Sequence, residues 1–115
     1  MAQMTKFQRA AQLWSLLVFA ARNQQILSYK LVEQLTGIFA PGVGGCLGPI
    51  QSYCKHQKLP PLTAIVINED QGLPGEGFTG ADLKDIFSAQ AQVFVFNWLG
   101  QKAPSPEELE KHYTA

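Results

Sequence analysis

The sequence is short of charge, of cysteine and of long apolar runs, and each shortage narrows what the chain does. Only 16% of its 115 residues are charged, and nine cations balance nine acids. A strongly basic nucleic-acid binder and a strongly acidic disordered tail are both excluded as descriptions of the whole. With 46% apolar residues the composition is globular. A chain of this length suits one domain, 1–115, and buries enough surface to fold without metals or disulfides.

Two cysteines, Cys46 and Cys54, stand eight positions apart. On a helix that spacing is about 12 Å, too long for a disulfide. Packing thiols in a reducing compartment are expected. A reactive thiol at Cys54, beside Tyr53 and Lys55, is the weaker alternative. The two histidines, His56 and His112, form no ligand motif with them, so no metal and no cofactor are expected. No Walker or dinucleotide pattern is present. The apolar stretch Leu13–Ala21 is too short to span a membrane. Lys6 and Arg9 precede it, but Arg22-Asn23-Gln24-Gln25 follows in place of a cleavage site, so a cytoplasmic location and no membrane partner are expected.

Charge is unevenly distributed along the chain. Residues 1–58 carry Lys6, Arg9, Arg22, Lys30, Lys55 and Lys58 against Glu33 alone, a balance of +5. Residues 59–115 carry three cations against eight acids, −5. One basic face would follow if the halves also separate in space.

The apolar pattern predicts a first helix over 5–23, capped by Thr5. Phe7, Ala10, Ala11, Trp14, Leu17, Val18 and Ala21 make its inner face, and Leu16, Phe19 and Ala20 widen it. Ser28 caps a second helix with Leu31, Val32 and Leu35 inward, and Gly37 ends it. A third helix is read over 43–57, with Val43, Leu47, Ile50 and Cys54 on one face. Pro49 either starts that helix or distorts its first turn. Leu62–Ile67 reads as the best strand and Leu73–Phe78 as a returning excursion. Thr79–Asp82 resembles a capping box opening a fourth helix, with Leu83, Ile86, Phe87, Phe94 and Trp98 on its face and a gap at Gln90. The run Val93–Phe96 is ambiguous between helix and strand, and helix is preferred. Ser105-Pro106-Glu107-Glu108 opens a short helix over 105–113, ending in a frayed Tyr113-Thr114-Ala115.

The fold class is therefore α+β and mainly helical. A helical segment, 5–23, precedes a core, 26–98, that holds a helix-turn-helix and a small β-hairpin wing. Within the core, Ser28-Tyr29-Lys30-Leu31-Val32-Glu33-Gln34-Leu35-Thr36-Gly37, then Val43-Gly44-Gly45-Cys46-Leu47-Gly48, then Pro60-Pro61 and Val66-Ile67-Asn68, resemble the DNA-binding half of alkylguanine DNA alkyltransferases and alkyltransferase-like proteins. The resemblance covers residues 26–80 and implies a winged-helix DNA-binding fold. That family's Cys-His-Arg positions correspond to Thr63, Ala64 and Ile65, so its alkyl transfer is excluded and no enzyme is expected. The arginine with which the family fills the gap of a flipped base falls near Pro41–Gly44, where there is none. Tyr29 matches a family tyrosine near the DNA backbone. The segments Leu47–Cys54, Leu59–Thr63 and Gly72–Phe78 also resemble stretches found in bacterial and phage proteins.

These readings nominate helix 43–57 as a DNA reader and hairpin 62–78 as a wing. Tyr29, Lys30, Gly44, Gly45, Gln51, Ser52, Lys55, His56 and Lys58 are the candidate contacts to duplex DNA. The loop Leu73, Pro74, Gly75, Glu76, Gly77 and Phe78 is the candidate partner loop. The alternative is a protein-interaction module, a regulator, inhibitor or immunity-type partner, without DNA binding.

Overall fold

Thr5 begins the first helix through a reciprocal cap. Its hydroxyl accepts from the Gln8 N–H at 3.1 Å, and the Gln8 side chain accepts from the Thr5 N–H at 2.8 Å. Helix α1 then runs Lys6–Arg22 in this computed structural model, which describes residues 4–75 and 77–114. Its buried seam is Ala10, Leu13, Trp14, Leu17 and Ala21, flanked by Val18 and Ala20. Phe19 departs from the expected core face and is 67% exposed. Two positions past Leu17, it points about 200° away from the seam.

The order continues with β1 (Leu27–Ser28), α2 (Tyr29–Thr36), α3 (Ala40–His56), a 3-10 turn (Leu62–Ile65), β2 (Val66–Ile67), α4 (Ile86–Val95) and α5 (Pro106–Lys111). The fold is mainly helical α+β, with one two-stranded parallel sheet that pairs Leu27 with Val66 and Ser28 with Ile67. Helices α2 and α3 and their three-residue connection cross from one strand to the other. Helix α1 packs against α3, α4, α5 and the 3-10 turn, so the core forms around it.

The caps of α2 are those the sequence announces. Ser28 Oγ accepts from the Leu31 N–H at 3.0 Å. Gly37 closes the helix at φ 75°, where a side chain is strained. Its packing differs from expectation: Val32 alone is buried, Leu35 is 58% exposed and Leu31 also faces out. A two-turn helix offers the core a single line of contact.

Helix α3 starts at Ala40, three residues earlier than the expected 43–57, and ends at His56. Pro41 falls in its first turn, where no N–H is needed. Pro49 sits inside the helix, neither starting it nor ending it. The carbonyl left without a partner belongs to Gly45, four residues back. Gly45 is exposed, in a stretch of α3 open to solvent.

The expected strand Leu62–Ile67 is mostly the 3-10 turn, and only Val66–Ile67 is extended. Its apolar character reflects burial, since Leu62, Thr63, Ala64 and Ile65 are all buried. The expected 62–78 wing is a single antiparallel bridge, Asn68 to Leu73. Asn68 Oδ1 accepts from the Asp70 N–H at 2.9 Å inside that turn.

Thr79–Asp82 does not cap a helix. A 3-10 turn, Leu83–Asp85, leads into α4 instead. Val93 to Val95 are helical, as preferred. The polar gap at Gln90 has a structural reason: this buried side chain donates from Nε2 to the Ala64 carbonyl at 3.0 Å, fastening α4 to the central turn. Leu83 and Phe87 leave the expected face, Phe87 at 77% exposure. Trp98 is buried in its own 3-10 turn and donates from Nε1 to the Val93 carbonyl at 2.8 Å. Ser105 and Glu108 form the expected capping box on α5, and the Ser105 N–H holds the Glu108 carboxyl below its ordinary pKa.

Among the described residues, no helix is long and apolar enough to cross a membrane. The packing assigns opposite weights to two large apolar side chains. Ile50→Ala, at a fully buried position, should cost about 2–5 kcal/mol in urea denaturation. Phe87→Ser should stay within about 0.5 kcal/mol of the parent.

Candidate functional site

A cavity of about 250 Å³ lies where α2, α3 and the central turn meet the loop after β2. Tyr29 reaches it from the first turn of α2, and Gly44, Gly48 and Gln51 line it from α3. Thr63 and Val66 contribute from the central segment, and Pro74 and Phe78 from the loop. Tyr113 and Thr114 close another side.

The loop is held against α3 by one side chain. Gln51 donates from Nε2 to the Gly77 carbonyl at 3.1 Å and accepts at Oε1 from the Thr79 N–H at 2.8 Å. The amide proposed for base contact is therefore engaged within the fold. Gly75 is needed for the same closure, because a Cβ there would sit 2.5 Å from Tyr29 Oη. Ser52 is likewise engaged: its hydroxyl is 3.4 Å from the Thr114 N–H and 3.5 Å from the Thr114 carbonyl. The expected fraying of Tyr113 and Thr114 is thus corrected, and Ala115 lies outside the described residues. Tyr113 packs edge-on to Phe7 at 5.6 Å, with Lys6 Nζ 4.3 Å over its ring.

Thr63 is the anomalous residue of this cavity. It is only 4% exposed, and among the described residues its hydroxyl has no hydrogen-bond partner. Leaving a buried hydroxyl unpaired costs about 1–3 kcal/mol. The tyrosines Tyr29 and Tyr113 are the titratable side chains among the described lining residues. Among the described lining residues, no histidine or carboxylate stands beside Thr63 to take its proton.

The candidate DNA contacts divide into two groups. Around the start of α3, Lys6, Arg9, Phe39, Gly42 and Gly45 line one depression. Lys30, Glu33, Gln34 and Phe39 line the adjoining one, and Gly37 belongs to both. Gly44 and Gly45 are exposed here, and Gly44 also lines the cavity. Lys55, His56 and Lys58 are exposed at the other end of α3, about 16 Å along the axis from Gly44. The His56 ring lies 5.5 Å from that of His112 on α5. In the partner loop, Pro74 is buried and Leu73, Gly75 and Phe78 are half-buried, while Gly77 is exposed. Glu76 lies outside the described residues. Sequence reasoning passed over Arg9 and Lys6 as neighbours of α3; their excess over acids in residues 1–58 was the available signal.

Both cysteines are buried and free. Burial raises the Cys46 thiol pKa, with Arg9 and Lys6 pulling weakly the other way. Burial pushes Cys54 from 9.0 up to about 11, against one backbone hydrogen bond that lowers it. No His, Cys, Asp or Glu cluster able to hold a metal occurs among the described residues. No protein-family model, curated protein or solved structure matches the chain.

Two outcomes follow from these environments. Thr63→Val replaces the unpaired hydroxyl with a methyl of the same shape, and should raise stability by about 1 kcal/mol in urea denaturation. The folded Cys54 thiol holds its proton more tightly than the unfolded one. Its contribution is complete below the unfolded value of 9.0 and is lost as pH rises through about 11. Denaturation midpoints measured across pH 8 to 11 should therefore fall in the upper half of that window, and Cys54→Ala should flatten the fall.

Proposed function

We propose that the protein is a non-enzymatic DNA-binding module that presents the start of α3 to the duplex. The observation that carries this reading is that Lys6 and Arg9 share a depression with Gly42 and Gly45 of α3, and Lys30 lines the depression that adjoins it at Gly37 and Phe39. Recognition helices approach base edges with their N-terminal residues. Glycines at 42, 44 and 45 let the helix backbone come close, the flanking cations meet phosphates, and the helix dipole adds to them. Tyr29 lines the neighbouring cavity together with Gly44.

The cavity extends the reading. Its 250 Å³ lies below the range of drug-sized sites, about 300–1,000 Å³, and suits one planar ring system. Thr63 lines the space, and a small shift of its side chain would bring its buried hydroxyl to that ring. With no arginine at 41–44 to fill a gap in the stack, the base that enters is one already unpaired, for which extrusion costs least.

A second reading rests on α4. Leu83, Phe87, Ala91 and Val95 recur every fourth residue and are exposed, and no charged residue occurs from Ile86 to Gln101. Such a face suits protein–protein contact.

Fluorescence anisotropy on labelled duplexes distinguishes the two. Binding should weaken steeply with salt. Arg9→Ala and Lys30→Ala should each lower the salt slope by about 1, while Lys55→Ala and Lys58→Ala should change affinity far less. A single-base bulge should bind more tightly than the matched duplex, and Thr63→Val should erase that preference. No binding at low salt by the folded protein overturns the DNA reading in favour of the second.

A further inference from the structure

A further depression, of about 380 Å³, lies along the C-terminal half of α1 and shares no described lining residue with the cavity or with the basic depressions beside α3. Trp14 and Trp98, the chain's two tryptophans, form its floor. They meet edge to face at 5.7 Å, and both are buried. The Trp98 N–H is engaged by the Val93 carbonyl, so that indole presents only its apolar surface. Phe19 and Leu99 form the walls, and Leu99 is 73% exposed. The volume falls within the range of small-molecule sites, about 300–1,000 Å³.

One charge borders this apolar space. Arg22 lines the rim, and no carboxylate stands among the described lining residues. The carbonyls that end α1 would oppose an anion there, but they are covered. Phe19 O accepts from the Asn23 N–H at 3.1 Å and from Asn23 Nδ2 at 2.8 Å, and Ala20 O accepts from the Gln25 N–H at 2.9 Å. A guanidinium is a planar fork matched to a carboxylate. Shape and charge together describe a ligand with an apolar body and one acidic end.

We propose that this groove binds a small carboxylate carrying an aromatic or aliphatic body. The body lies on Trp14 and Trp98 between Phe19 and Leu99, and the carboxylate pairs with Arg22. The site is independent of the DNA reading and stands or falls separately.

Because both tryptophans line the groove, their emission reports its occupancy directly. Titration of the whole chain with phenylbutyrate should give a saturable change in tryptophan emission. The neutral phenylbutanol should bind about tenfold more weakly or worse, which is the loss of one charge-assisted pair. Arg22→Gln, at an exposed position, should show the same loss for phenylbutyrate while keeping the parent's circular dichroism and melting temperature. Equal binding of acid and alcohol, indifference to Arg22→Gln, or no saturable change each overturns the proposal. So does a concentration-dependent dimer in sedimentation that Phe19→Ser dissolves and that phenylbutyrate leaves unaltered, which would assign the groove to a second copy of the chain.

Discussion

The burial of Leu62–Ile65 is the constraint on which the rest of the fold depends. Four consecutive residues without an exposed side chain cannot lean on solvent for their backbone groups. The turn closes part of its own hydrogen bonding, with the Ala64 N–H donating to Pro61 O at 2.9 Å. Its Ala64 carbonyl is met by Gln90 from α4. Helices α1, α3 and α4 all pack on this segment. Its last residue leads straight into β2, which ties it to the start of α2 through β1. Moving the turn would therefore shift the helix-turn-helix and α4 together.

The same segment places Thr63 against the cavity. A residue in a fully packed turn has little rotamer freedom, so its hydroxyl stays where no partner reaches it. An unpaired buried hydroxyl is a stored cost, and Thr63 carries it at the wall of the cavity. The cavity around it is built by engaged groups: Gln51 holds the loop, Ser52 meets the C-terminal residues, and Gly75 lets Tyr29 approach. Their polar atoms shape the space, with Tyr29, Thr63 and Tyr113 among its other lining residues.

Helix α3 divides the labour by position along its length. Its first turns are glycine-rich and lie beside cations from α1 and α2. Its middle packs on the core through Val43, Leu47 and Ile50. Its last turn carries Lys55 and His56 toward α5. A net charge of zero conceals this arrangement, since the acids belong mostly to later segments of the chain.

Local chemistry made much of the fold legible. Thr5 with Gln8, Ser28 with Gly37, and Ser105 with Glu108 mark helix boundaries because capping is decided within four residues. The spacing of Ala10, Trp14, Leu17, Val18 and Ala21 defined the buried side of α1 for the same reason of short range, and the structure adds Leu13 to it. What the sequence could not decide was which apolar residues find a partner. Phe19, Leu35 and Phe87 carry the same hydropathy as core residues, yet exposure depends on where other elements stop. Leu62–Ile65 reads as a strand by composition and forms a turn because it is enclosed on all sides. The functional groups followed the same division. Tyr29 and the glycines of α3 were visible from the sequence. The unpaired Thr63, the engaged Gln51 and the nearness of Arg9 to α3 exist only once segments far apart in sequence meet. Capping and periodicity act along the chain, whereas burial and hydrogen-bond satisfaction are properties of the assembled molecule.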